Sequence, residues 1–367
     1  LFLLVPMPAL ASTSAQSAVV MDAAGHTVLY EQNAYEERPM ASTTKIMTAY
    51  LACAAGDLQR TVPITAAMLK DTEGSSLGLR VGDRITLYDL VVGMLLVSGN
   101  DAANAVAIFL SGSTKAFAAR MNSAAQEMGM HHTRFVTPSG LDRGDHHSTA
   151  YDMALLTAHA LQNKTFAEIC AAPRAKVTIN GKAQTVYNHN RLLTSLDGCV
   201  GVKTGYTMAA GRTLVSCAER NGMRLVCVTL SAPDDWNDHK YLLDKAFSDY
   251  RVASYSPDSF KVTLDVASSA ASTAEAIPQN EIKLLVRSDD ELDVKLEAPR
   301  ILFAGGIEGE RIGKISLFVN GSLAAQENLV YTEDVKTDPA QRLTPGERIL
   351  RIFDTALRPY YIEGEAK

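Results

Sequence analysis

The chain has 367 residues, 47% of them hydrophobic and 21% charged, with a formal net charge of -6 and a sequence pI of about 5.8. This composition excludes wholesale disorder, leaves room for a large core and suits two domains. A negative balance gives no general attraction to nucleic acid, so anion recognition falls to local cations; neither a zinc pattern nor a phosphate loop occurs, and no metal or cofactor is expected.

The opening run LFLLVPMPALA is apolar and ends in a small-x-small pattern at Ala9 and Ala11, which reads as a secretory-signal remnant over residues 1–11. Export follows from that reading, to the outer face of the cytoplasmic membrane, the cell wall or the periplasm. From about residue 17 to 250 helix and strand signals mix, which predicts an α+β core. SAVVMDAAGHTVLYEQN alternates like two strands around an Ala-Gly turn.

MASTTKIMTAY then raises a chemical question. Ile46, Met47, Tyr50 and Leu51 recur at helical spacing, with Ser42 in the first turn and Lys45 one turn on. Residues at i and i+3 share a helix face, so hydroxyl and amine can touch. An apolar setting depresses a lysine's pKa, which lets the amine take a proton and makes Ser42 a candidate nucleophile. Ser-x-x-Lys alone is weak, since about one or two copies arise by chance in a chain of this length.

LYDLVVGMLLVSGNDAANAVAIFL reads as two helices broken at Ser98-Gly99-Asn100. Further on lies Lys203-Thr204-Gly205, followed by Tyr206 and Thr207. A Lys-Thr-Gly or such a Ser-x-Asn is expected about one time in ten or less by chance. LVSCAERNGMRLVCVTL is a hairpin turning at Asn221-Gly222. A two-residue turn sets Cys217 opposite Val226 and Cys227 opposite Ser216, so the two thiols face apart. All five cysteines are therefore expected free and mostly buried.

After Tyr250 composition shifts. SSAASTAEAIPQNE reads as a polar loop or linker, whereas EIKLLVRSDDELDVKLEAP and GKISLFVNGSLAAQENLVY alternate with period two, the latter around Asn320-Gly321. The expected division is a catalytic domain over 12–253, a β-rich domain over 254–340, and an amphipathic helix with tail over 341–367.

Acyl transfer needs a nucleophile, a base, a proton route to the leaving amine, and donors for the oxyanion. Ser42 and Lys45 supply the first two. Ser98 is placed to relay a proton, Asn100 to hold Lys45 and bind the substrate amide, Lys203 to sustain a positive field, and Thr204 to bind a terminal carboxylate. Gly205 admits the substrate backbone.

Together these residues resemble the active-site set of the penicillin-recognising serine enzymes. Across nearly its whole length the chain is similar to a low-molecular-mass penicillin-binding protein, a D-alanyl-D-alanine carboxypeptidase. The resemblance implies a β-lactamase/transpeptidase-like domain, an antiparallel sheet flanked by helices, with a small C-terminal all-β domain. It implies a peptidoglycan stem peptide ending in D-Ala-D-Ala as substrate, β-lactams as covalent inhibitors, and an oxyanion hole from the backbone N–H groups of Ser42 and Tyr206. Asp152, in STAYDMALL, matches an acidic residue that supports deacylation, although it also reads as a helix N-cap. Where some members carry His, this chain has Ser139, and PDDWNDHK offers no late arginine for the carboxylate. His189 and Arg191 are candidate substitutes. The final helix, around Ile349 to Leu357, is expected either on the membrane surface or docked on the β-domain.

Three other readings compete. A class A β-lactamase carries Ser-Asp-Asn and a Glu-x-x-Leu-Asn loop, and this chain has neither. A peptidoglycan endopeptidase shares every catalytic residue and differs in pocket shape, but the two-domain length favours the carboxypeptidase. A wall-binding scaffold leaves three motifs without a purpose.

Overall fold

A strand buried along its whole length opens the fold in this computed structural model, which describes residues 13–267, 269, 271–299, 301–338, 344 and 346–347, and the backbone alone of 360–365. The signal remnant and the helix expected over Ile349 to Leu357 lie outside the described residues. Two units divide the chain, Leu1–Ser248 and Asp249–Lys367.

The first unit begins with the expected hairpin, β1 (Ser17–Asp22) and β2 (Val28–Gln32). A 3-10 turn at Ala41–Thr44 leads into α1 (Lys45–Ala54), so Ser42 sits one turn before the α-helix proper. Eight of the ten α1 residues are buried, which makes α1 the central helix of this unit. Short strands β3 (Thr61–Pro63) and β4 (Arg84–Thr86) precede α2 (Leu87–Leu96), α3 (Asn100–Ser111) and α4 (Thr114–Glu127). After a long loop come α5 (Ala150–Ala160), α6 (Lys164–Ala171), the hairpin β5 (Arg174–Ile179) and β6 (Lys182–Tyr187), and the single turn α7 (Leu192–Ser195). The meander β7 (Cys199–Thr207), β8 (Gly211–Arg220) and β9 (Met223–Leu230) then leads to α8 (Asp235–Asp249).

The main sheet is antiparallel, ordered β2-β1-β9-β8-β7, and β3-β4-β5-β6 form a smaller one. Side-chain caps start α2 and α5: Thr86 accepts from the Asp89 amide and Thr149 from the Asp152 amide, both at 3.0 Å. Each such cap is worth about 1 kcal/mol. Thr149 is therefore the N-cap of α5, and Asp152, three residues in, is not. The helical core, with Met47, Leu90, Phe117 and Leu156 fully enclosed, packs α1 among its neighbours; enclosing each such side chain stabilises by about 1.5–3 kcal/mol.

The hairpin register is as expected, with Arg220 opposite Met223, Cys217 opposite Val226 and Ser216 opposite Cys227. Asn221 and Gly222 both take positive φ, 50° and 80°, as a two-residue turn of matching twist requires. All five cysteines are free, and all but Cys199 are buried.

In the second unit strands follow one another: β10 (Tyr250–Tyr255), β11 (Val262–Ala267), β12 (Thr273–Pro278), β13 (Ile282–Arg287), β14 (Leu292–Ala298) and β15 (Ile301–Phe303). The hairpin β16 (Arg311–Val319) and β17 (Ser322–Tyr331) turns at Asn320-Gly321, and β18 (Tyr360–Glu365) pairs with β14. The order is β15-β11-β12-β17-β16-β14-β18, with β10 and β13 paired separately. One expectation fails here. SSAASTAEAIPQNE is not simply a loop, because it contains β12, whose inward positions are the buried Ala274 and Ala276. Alanine on the core face gives too little hydrophobic contrast for the alternation to register. No described helix is long and apolar enough to cross a membrane.

Candidate active site

Lys45 is completely buried at the start of α1, and its amine touches three oxygens. Ser42 Oγ and Asn100 Oδ1 lie 2.7 Å away, and the Ser139 carbonyl 2.6 Å. Burial depresses the Lys45 pKa far below its usual value, the charge of Lys203 adds to that, and Asp101 opposes it. A neutral amine has two hydrogens and one lone pair. The Ser139 carbonyl can only accept, and so can Asn100 Oδ1, whose orientation is set by Nδ2 donating to the Glu73 carbonyl at 2.6 Å. Those two acceptors take both hydrogens and leave the lone pair for the Ser42 hydroxyl. The Ser139 segment is fastened to α1 by Thr48 Oγ1, which donates to the Pro138 carbonyl at 2.7 Å.

The break between α2 and α3 supplies the second group. Ser98 takes a left-handed turn at φ 62°, and Asn100 opens α3 with its amide on the Ser75 carbonyl at 2.8 Å. Among the described residues no hydrogen bond joins Ser98 to Ser42 or Lys45. Asp101, which the motif search passed over, organises the facing loop. Its carboxylate accepts from Ser76 Oγ and from the Leu77, Gly78 and Leu79 amides at 2.6–3.0 Å. An acid in the first turn of a helix was the available signal.

Strand β7 brings up Lys203, Thr204 and Gly205 on the main sheet's edge. Lys203 is 1% exposed, burial pushes its pKa down to about 7, and its amine donates to the Thr204 carbonyl at 2.9 Å. Gly205 has a reason beyond substrate access. A Cβ there would stand 2.3 Å from Thr213 Oγ1 and 2.9 Å from the Ser42 nitrogen, so only glycine lets β7 run beside the Ser42 backbone.

These elements enclose a cleft of about 690 Å³ lined by Ser42, Ser98, Asn100, Thr204, Tyr206 and Thr207, among others. His189 and Arg191 also line it. Sequence reasoning missed Arg212, at the start of β8. Its guanidinium donates twice to Asp235 Oδ1, at 3.0 and 2.6 Å, and lies over the Trp236 ring at 5.6 Å. Asp152 does not line the cleft. It is 2% exposed, and its Oδ2 accepts from the His132 amide at 2.9 Å and Thr133 Oγ1 at 2.7 Å.

Comparison with known proteins agrees with this geometry. The peptidase family profile described as D-alanyl-D-alanine carboxypeptidase matches residues 5–234. The chain is 31% identical to the D-alanyl-D-alanine carboxypeptidase DacF of Bacillus subtilis, over 88% of this chain and 86% of that one. It is 35% identical to DacC of Escherichia coli, over 89% and 85%. Among solved structures, penicillin binding protein 5 from Haemophilus influenzae superposes with a TM-score of 0.71 at 28% identity, covering 89% of this chain and 98% of that one. The Streptomyces K15 DD-transpeptidase superposes with a TM-score of 0.61 at 32% identity, covering 65% and 98%. A serine and a buried lysine in contact, on a fold and sequence shared over this length, leave one conclusion: the chain belongs to the D-alanyl-D-alanine carboxypeptidase family, the serine peptidases that include the low-molecular-mass penicillin-binding proteins.

Proposed function

We propose that the chain removes the terminal D-alanine from peptidoglycan stem peptides through a Ser42 acyl-enzyme, and that β-lactams trap the same serine. The observation that carries this reading is the Lys45 amine with two acceptor-only carbonyls and one hydroxyl around it. Lys45 takes the Ser42 proton as Oγ attacks the penultimate D-alanyl carbonyl. The backbone N–H groups of Ser42 and Tyr206 hold the oxyanion. Ser98 passes a proton to the departing D-alanine nitrogen, and water then cleaves the Ser42 ester. Asn100, Thr204 and Thr207 orient the chain of the substrate. Its terminal carboxylate meets the field of Lys203, with Arg191 and Arg212 as the cleft's guanidinium groups.

Intact-mass spectrometry after penicillin treatment is expected to show one adduct, absent in Ser42→Ala, and a stem pentapeptide is expected to release D-alanine. An adduct that survives Ser42→Ala overturns the assignment. Release of D-alanine separates this activity from an endopeptidase, which cuts the cross-link instead.

The substrate is wall material, so the same proposal places the protein outside the cytoplasm. The segment around Ile349 to Leu357 brings it to the membrane surface, through weak contact of a short arginine-bearing apolar face with anionic lipid. In flotation with anionic liposomes, the whole chain should rise with lipid and a chain ending at Pro345 should not; equal recovery would assign the segment to internal packing.

A further inference from the structure

His146 takes no part in the proton transfers above, yet it is 5% exposed, with its ring edge-on to Phe135 at 6.1 Å. Its hydrogen bonds define its tautomer. The Val136 amide lies 2.9 Å from Nδ1, and a backbone amide can only donate, so Nδ1 bears the lone pair and Nε2 the hydrogen. Nε2 then donates to Thr44 Oγ1 at 2.8 Å, and Thr44 Oγ1 gives its own hydrogen to the Ala41 carbonyl at 2.8 Å. Donors in series polarise one another, so the last bond gains from the first.

The Ala41 carbonyl belongs to the peptide unit whose other end is the Ser42 N–H. In a trans peptide these two groups point in opposite directions. Ala41 holds φ 48°, a left-handed conformation that costs a non-glycine residue about 1 kcal/mol or more and persists only where neighbours enforce it. Two neighbours do so. Thr44 Oγ1 is one; the other is Gly140, which packs so tightly that a Cβ would stand 1.9 Å from the Ala41 oxygen. On the far side of the same peptide, the Ser42 nitrogen faces Gly205 at the cleft edge.

We propose that His146 is a positioning residue: through Thr44 it fixes the Ala41 carbonyl and so aims the Ser42 N–H at the oxyanion. The inference rests on Ser42 as the nucleophile. Burial pushes the imidazole down to about 4, so the ring stays neutral and the donor direction is kept at neutral pH. A protonated Nδ1 would meet the Val136 N–H donor to donor and break the series at its origin.

Stopped-flow acylation by a β-lactam separates the noncovalent dissociation constant from the acylation rate constant. Losing one oxyanion donor costs about 10²–10³-fold, so misdirecting one should cost about tenfold to a hundredfold. His146→Leu is expected to slow acylation by that factor with the dissociation constant unchanged. His146→Gln, whose amide can still donate to Thr44, should recover most of it. Thr44→Val should match the leucine variant, and the double variant should be no slower than either, because both cut one series. Imidazole 15N shifts should place the hydrogen on Nε2. Wild-type acylation in Thr44→Val, or additive losses in the double variant, overturns the inference even where His146→Leu fails to fold. A native protein that is never acylated at Ser42 overturns the functional reading and this inference together.

Discussion

An ammonium with no carboxylate beside it should not survive in a protein interior, and at Lys45 the answer is neutralisation: the amine gives up its proton and directs its two remaining hydrogens at carbonyl oxygens. Lys203 lies under milder pressure, with its pKa pushed down to about 7 by burial. Its charge is present below that value and lost as pH rises through it. Lys45 must be neutral to act, so the rate climbs on the acid side with loss of its proton. For a carboxylate-ended peptide, kcat/KM should therefore peak and then fall as pH passes about 7. In Lys203→Arg the guanidinium stays charged to about pH 12 and beyond, so the falling limb should disappear from the accessible range. A native profile still rising at about pH 9 would show that the Lys203 charge is not needed.

The loop that walls the cleft opposite β7 depends on the first turn of α3. Asp101 accepts from three consecutive amides there and from Ser76 Oγ. Asp101→Asn replaces a charged acceptor by a neutral one carrying donors of its own, which should cost about 1–3 kcal/mol. Hydrogen exchange should quicken at Leu77 to Leu79 first. Asp101 also props up the Lys45 pKa, so the acid limb of the rate profile should move to lower pH in the same variant. Unchanged exchange would leave the loop held by other contacts. The elements differ in how far the sequence reveals them. Hairpins at Asn221-Gly222 and Asn320-Gly321 are legible because the turn residues and the period-two pattern agree. The Ser42–Lys45 contact is legible because helix pitch sets it. The Ser139 carbonyl is not, since a backbone oxygen 94 residues from its partner leaves no mark in residue type. Arg212 escaped because its cleft position comes from strand order, which brings the start of β8 beside α8. β12 escaped because its core face is alanine.

Two histidines make the first unit as a whole sensitive to acid. His239 is fully enclosed, with Nδ1 2.6 Å from Ser216 Oγ and Nε2 2.9 Å from Thr229 Oγ1, and burial pushes it down to about 3. His146 is pushed down to about 4. Each ring is neutral in the fold and regains an ordinary value of about 6.5 once unfolded, so below about 6.5 the unfolded chain binds more protons and stability falls as pH drops towards about 4. One such group changes stability by up to about 1.4 kcal/mol per pH unit, so the pair should give roughly 1–3 kcal/mol per unit around pH 5. Most carboxylates remain ionised in both states above about pH 4.5, which leaves the window to the histidines. The single tryptophan, Trp236, lies in the first unit, so its fluorescence during urea unfolding follows that unit without a signal from the β-rich one. Urea midpoints should fall steadily from about pH 7 to about 4.5, and His239→Gln should start from a lower midpoint but lose only about half as much over the same range. A native midpoint that holds level across that range would mean that the two rings are not kept neutral by the fold.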